Sequence, residues 1–223
     1  MFSYVFMKIL ERSPRSYDRE MEKASRGRVV DMKRGAAAEV PAGAHVLEIG
    51  CGTGELAAML IGRGATVEGF DLSPSMIAAA RERIEEENLQ PRLSVTRMGV
   101  DGMDCFEAEA FDAVVSTLVL SELNRDERRF TLSQSFRVLR AGGLLAVADE
   151  VVPRTVGRRL LQSLIRVPLL LATYMISGST TQPIADLPGE VRAAGFSVEK
   201  EIRSHGGAVA LLTARKPDKE RAK

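Results

Sequence analysis

The stretch VLEIGCGTGEL, residues 46–56, ends a short apolar run in three glycines at alternate positions, Gly50, Gly52 and Gly54. Glu48 stands two residues before the first of them. Glycine gives up more backbone freedom on ordering than any other residue, so this spacing suits neither a strand interior nor a helix interior. It reads as a strand (AHVLEIG), a bare turn, and a helix (ELAAMLIGRG) that stops at Gly62 or Gly64.

The same alternation continues outward. ATVEGFD reads as a second strand, and SPSMIAAARERIEEENLQP as a helix with Ser73 as N-cap and Pro74 in its first turn. RLSVTRM and FDAVVSTLVL are third and fourth strands, RDERRFTLSQSFRVLR is a helix, and AGG leads into a fifth strand, LLAVAD. Strands separated by helices of this length predict a parallel sheet covered on both faces. The tail differs: helix LPGEVRAAGF precedes two β-runs, SVEKEIRS and AVALLTARK, joined by HGG as an antiparallel hairpin. Residues 1–40 read as an amphipathic helical segment broken at Pro14. Neither repeats nor a linker mark a second domain.

Composition narrows the function. The 223 residues are 45% hydrophobic and 27% charged, ordinary for one globular domain with a sizeable core. A net charge of +1, from 31 basic and 30 acidic residues, argues against a nucleic-acid surface, which needs a clustered excess of Lys and Arg. Cys51 and Cys105 fit neither a disulfide framework nor a CxxC site, and with His45 and His205 they suggest no metal centre. The start, MFSYVFMKIL, lacks the basic region and cleavage site of a signal peptide, so a cytoplasmic location is expected.

A glycine turn after the first strand of such a sheet lies at the carboxyl ends of the strands, where ligands bind. Any Cβ there would hold a ligand off the backbone amides. The dinucleotide fingerprint is G-x-G-x-x-G, whereas this chain has G-x-G-x-G followed by Glu55. A carboxylate at that helix start repels a pyrophosphate. A ligand with an amine and a ribose, and a sulfonium in place of two phosphates, fits better.

On these motifs the sequence resembles the class I S-adenosylmethionine (SAM) methyltransferases. VLEIGCGTG matches their first motif and VEGFDLSPSMI the second; FDAVVSTLVLSEL, FRVLRAGGLLAVAD and AVALLTARKP resemble the later strand motifs. Five ordered motifs over roughly residues 40–216 are far more specific than one glycine pattern. The resemblance implies an α/β, Rossmann-like sheet of seven strands, mostly parallel with the last antiparallel, and helices on both faces. It implies a methyltransferase domain over 41–216, a helical cap over 1–40, an apolar helical insertion at 154–183 and a charged tail at 217–223. It also implies SAM as cofactor, S-adenosylhomocysteine as product, and a cofactor site of Glu48, Gly50, Cys51, Gly52, Gly54, Asp71, Leu72, Met76, Gly99, Val100, Asp101 and Ser116. Asp71 is then the ribose ligand, since one carboxylate accepts two hydrogen bonds. Two departures stand out. Val100 occupies the place of the acid that reads adenine in many relatives, with Asp101 next to it; Ser121 and Glu122 stand where many have a histidine.

Catalytic candidates are Tyr17, in a Tyr-Asp segment that relatives fold over the pocket, Glu122, and Asp149 and Glu150 on the expected rim at the end of the fifth strand. Tyr17 has a plain alternative as a surface aromatic, and Asp149 and Glu150 as carboxylates that cap the next segment. Cys51 reads as a small buried filler and the two histidines as structural. The stripe from Leu160 to Ile176 reads as a roof suited to a large or apolar methyl acceptor; its unbroken apolar run is far short of the roughly 20 residues a membrane span needs. With Arg154, Arg158 and Arg159 beside it, peripheral membrane contact is conceivable but not expected. The N-terminal segment, SEL, ADEVVPR and STTQPIADLPGEV resemble the corrinoid protein-associated methyltransferases, which implies a corrinoid protein as partner. Quinone- or lipid-like acceptors, and a SAM-binding module without turnover, are the other readings.

Overall fold

The computed structural model describes residues 14–154 and 182–218. Helix α1 (Pro14–Ser25) and helix α2 (Arg28–Glu39) are separated at Arg26 and Gly27, both with positive φ. Then follow β1 (His45–Ile49), α3 (Glu55–Ile61), β2 (Thr66–Asp71), α4 (Pro74–Glu86), β3 (Leu93–Arg97) and a 3₁₀ turn (Val100–Cys105). The chain continues through β4 (Phe111–Thr117), α5 (Arg125–Val138), β5 (Leu139–Glu150), α6 (Leu187–Ala193), β6 (Ser197–Ser204) and β7 (Val209–Arg215).

One seven-stranded sheet runs β3-β2-β1-β4-β5-β7-β6, with the seven strands that the resemblance implied. β7 alone is antiparallel, pairing with both β5 and β6. Successive residues of each central strand enter opposite layers, which is why the strands read as continuous apolar runs. Leu47, Ile49, Val114, Leu145 and Val147 pack under α5, α6 and the 3₁₀ turn. Val46, Ala113, Val115, Leu144 and Ala146 pack with Ala36 and Ala37 of α2 and Leu56 and Leu60 of α3. Fully burying each such large aliphatic chain contributes about 1.5–3 kcal/mol.

Three expectations shift. α2 is not only a cap: its C-terminal half is a layer helix on the sheet, and only Val29 and Lys33 of α2 reach the cleft described below. Helix α5 stops at Val138, and β5 starts at Leu139 and runs through the glycine pair. Phe111 pairs with Leu139 but Ala113 with Leu144, so residues 141–143 bulge out, with Gly142 at φ 73°. The break expected at Pro14, the apolar stripe 160–176 and most of the charged tail involve residues outside those described. Among the described residues no helix is long and apolar enough to cross a membrane.

Candidate active site

The strand order reverses between β1 and β4, and a cleft of about 570 Å³ opens at their carboxyl ends. That is where ligands bind in open α/β sheets. β1 delivers Glu48 and the glycine turn, β2 delivers Asp71 and Leu72, the end of β3 delivers Met98 and Gly99, and β4 delivers Thr117 and the turn beyond it.

The glycines have separate reasons. Gly50 has φ 69°, and a Cβ on it would strike the Val119 side chain. Gly52 has φ 53° with nothing within 4 Å of its Cβ position, so its bareness leaves space in the cleft. Gly54, at φ 77°, backs onto Ala80 and Arg83 of α4 at 3.6 and 3.7 Å and does not line the cleft. Gly69 in β2 is bare for the sake of Cys51, whose Cβ would lie 2.8 Å from an added methyl.

Asp71 braces this turn, its two oxygens accepting from the Gly52 amide at 2.9 Å and the Ser73 amide at 2.8 Å. Carboxylate oxygens have further lone pairs, so those aimed at the cleft keep accepting capacity. Glu48 is 2% exposed, and its Oε2 has no hydrogen-bond partner among the described residues. Burial pushes its pKa up to about 8; Lys33 opposes the shift and Asp71 adds to it. The Cys51 thiol is pushed far up by burial and by the same two carboxylates, so it stays protonated and serves as a buried filler.

Helix α1 closes one side. Thr53 Oγ1 donates to the Asp18 carboxylate at 2.8 Å, and Arg83 of α4 reaches Asp18 at 2.5 Å and the Thr53 carbonyl at 2.9 Å. Lys33 lies 2.6 Å from Glu55 and 4.0 Å from Asp18. Glu55 is therefore neutralised, and its charge is a weaker objection to a pyrophosphate than its position in the sequence implied. The stronger objection is the wall itself, where Asp71, Asp101, Glu122 and Glu127 face a single described cation, Lys33, which is already paired with Glu55.

The expected residues divide accordingly. Glu48, Gly50, Cys51, Gly52, Asp71, Leu72, Met76, Gly99, Val100, Asp101, Tyr17 and Glu122 all line the one cleft. Ser116 does not: it is buried in β4, and Thr117 faces the cleft in its place. Asp149 and Glu150 are not on a rim. Asp149 is wholly buried, accepting from the Ser121 and Glu150 amides, with burial raising its pKa to about 6. Glu150 is buried beside it, and neither lines the cleft. His45 sits at the opposite end of β1, bonded to Ala110 and Glu68 as a structural histidine. Sequence reasoning missed Lys33, Thr53 and the wall of Leu118, Val119 and Leu123. It also missed the Asp18–Arg83 pair, whose 65-residue separation leaves no local signal.

Residues 46–143 match a family described as a methyltransferase domain. The chain is 37% identical over 119 residues to the methyltransferase GfsG of Streptomyces halstedii, covering 52% of this chain and 41% of that protein. It is 38% identical over 119 residues to a phosphatidylethanolamine N-methyltransferase of Cereibacter sphaeroides, covering 53% and 57%. The match thus spans about half the length of these relatives. Among solved structures, the [4+2]-cyclase SpnF superposes with a TM-score of 0.67 at 21% identity, covering 84% of this chain and 81% of that one, a likeness of fold alone. Over residues 46–143 the chain is similar to a methyltransferase domain, and the sheet order and the cleft at its switch point agree with that likeness.

Proposed function

We infer that the chain binds SAM in this cleft and passes its methyl group to an acceptor with a large apolar body, presented over the wall of residues 118–123. The observation that carries the reading is the open space above Gly52, bracketed by the unpartnered buried oxygen of Glu48 and the Asp71 carboxylate. Asp71 is assigned to the ribose hydroxyls and Glu48, with Lys33 near, to the methionine end. Leu72, Met76, Met98, Gly99, Val100 and Asp101 are assigned to the adenine side. A cleft wall rich in carboxylates suits a cation and repels a dinucleotide's phosphates.

SAM, when bound, supplies a methyl group activated by its own sulfonium charge. The chain's residues are left with positioning and the exclusion of water. Tyr17 and Val29 cover the cleft from the cap side and pack with Leu118, while Val119 lies against Gly50 and Leu123 continues the apolar lining. Glu122 is the polar group on that wall. Its role is to orient a donor group on the acceptor and to accept a proton when the acceptor must lose one. The likeness to a phosphatidylethanolamine N-methyltransferase supports an acceptor carried on an apolar body.

Calorimetry with SAM tests the binding site, and methyl-labelled SAM incubated with the protein and a cell extract tests transfer. Label that moves into organic solvent supports the apolar acceptor. Label held on a protein and lost in light replaces it with a corrinoid partner. Binding without any transfer overturns the enzymatic reading and leaves a SAM-binding module.

A further inference from the structure

The wall of residues 118–123 belongs to no helix or strand, yet it contributes Leu118, Val119, Glu122 and Leu123 to the cleft. Leu118 sits at φ 61°, a left-handed conformation that a leucine adopts only when its surroundings hold it there. Within the turn, Glu122 N–H donates to the Val119 carbonyl at 2.9 Å and Leu123 N–H to the Leu120 carbonyl at 3.3 Å, and further bonds come from behind. Leu118 N–H donates to the Ala148 carbonyl at 2.9 Å, Ser121 N–H to Asp149 Oδ2 at 3.3 Å, and the Ser121 carbonyl accepts from the Gln182 amide at 2.8 Å.

The centre of this support is Arg128, only 8% exposed, in the first turn of α5. Its Nη1 donates to the Leu120 carbonyl at 3.3 Å and the Leu123 carbonyl at 3.0 Å. Its Nε and Nη2 grip the Glu190 carboxylate of α6 in a fork, at 2.6 and 3.1 Å. One planar guanidinium thus satisfies a carboxylate on one edge and two turn carbonyls on another, which a lysine's compact ammonium cannot do. Neither Arg128 nor Glu190 lines the cleft. The pair is only half-buried, with the Arg128 side chain 9% and the Glu190 side chain 28% exposed, and desolvation of Arg128 offsets part of the attraction.

We propose that Arg128 and Glu190 are positioning residues for the methyl acceptor: from behind the cleft they fix the turn 118–123, so that Glu122 and its apolar neighbours meet the acceptor in one arrangement. This rests on the cleft being a site of methyl transfer. Glu190 orients Arg128 and Arg128 pins the turn, and the side-chain bonds of the pair reach Leu120 and Leu123 but no residue of β1 or β2.

The test is Glu190→Gln, which keeps the side chain's size and weakens the fork. Hydrogen exchange of the peptide covering 118–124, SAM affinity by calorimetry, and label transfer from methyl-labelled SAM into the extract are measured beside the native protein. The expected result is exchange in 118–124 faster by about tenfold, strand β1 unchanged, SAM affinity within about twofold, and transfer reduced at least about tenfold. Glu190→Asp, which keeps the charge, should recover part of the transfer. An unchanged turn, or a loosened turn with undiminished transfer, overturns the proposal. So does a parallel loss of SAM affinity, which would make the pair a general tie between α5 and α6. If the native protein binds SAM but transfers nothing, the methyltransferase reading fails, and the exchange data alone decide whether Glu190 fixes the turn.

Discussion

A Cβ at Gly50 would collide with Val119, whereas one at Gly52 would meet nothing of the protein, so the two glycines predict different phenotypes. Gly50→Ala should lower the melting temperature through overpacking of about 1–3 kcal/mol. Gly52→Ala should lose only the left-handed strain of about 1–2 kcal/mol in stability, yet lose far more in SAM affinity. Calorimetry beside thermal melts separates them; equal losses of affinity and stability at Gly52 would make it a purely structural glycine. Glu48 gives a pH signature. Its pKa is raised from 4.5 to about 8 mainly by burial, so the folded state without ligand binds a proton that the unfolded chain does not. The stability contributed is full below about pH 4.5 and is lost as pH rises through about 8. Glu48→Gln, always neutral, should flatten that fall in melts taken across the range. A cation seated beside Glu48 favours its charged form, so SAM binding near neutrality should release protons. Binding heats that are identical in phosphate and Tris buffers would count against this placement.

At the scale of elements, α1 is held against the glycine turn by side chains. The Asp18 carboxylate takes Thr53 Oγ1 at 2.8 Å and Arg83 at 2.5 Å, and both Asp18 and Arg83 are mostly buried. Hydrogen bonds to charged groups contribute about 1.5–3 kcal/mol, so Asp18→Ala should free α1 while sparing the sheet. Limited proteolysis should then cut within Pro14–Ser25 first, with SAM affinity lowered severalfold. A protected α1 in that variant would mean its packing through Met21, Val29 and Tyr17 suffices.

Across the whole molecule, the sheet's two faces are buried by separate helical layers, and the cleft lies where the strand order reverses. Leu47 in β1 is wholly buried, so Leu47→Ala should cost about 2–5 kcal/mol of stability. Saturating SAM at a hundred times its Kd should return about 2.7 kcal/mol of that, because ligand binds only the folded state. Melts of the variant with and without SAM check both terms, and no shift with SAM would count against the proposed site.

The sequence by itself determined the sheet, because burial on both faces leaves continuous apolar runs and each crossover helix leaves its own period and cap. Ser73 before Pro74 is such a local signal, and the structure shows it as a cap. The glycine side of the cleft was legible for the same reason: Glu48, Gly50, Gly52 and Asp71 lie at or near strand ends, where position along the chain fixes position in space. Tertiary structure alone decided the other half. Asp149 was expected on a rim and is buried beneath the turn, Ser116 points into the core, and Arg128 reaches Glu190 across 62 residues. Which face a strand-end side chain takes, and which distant charge meets it, depends on how helices dock over the sheet, and no local spacing encodes that.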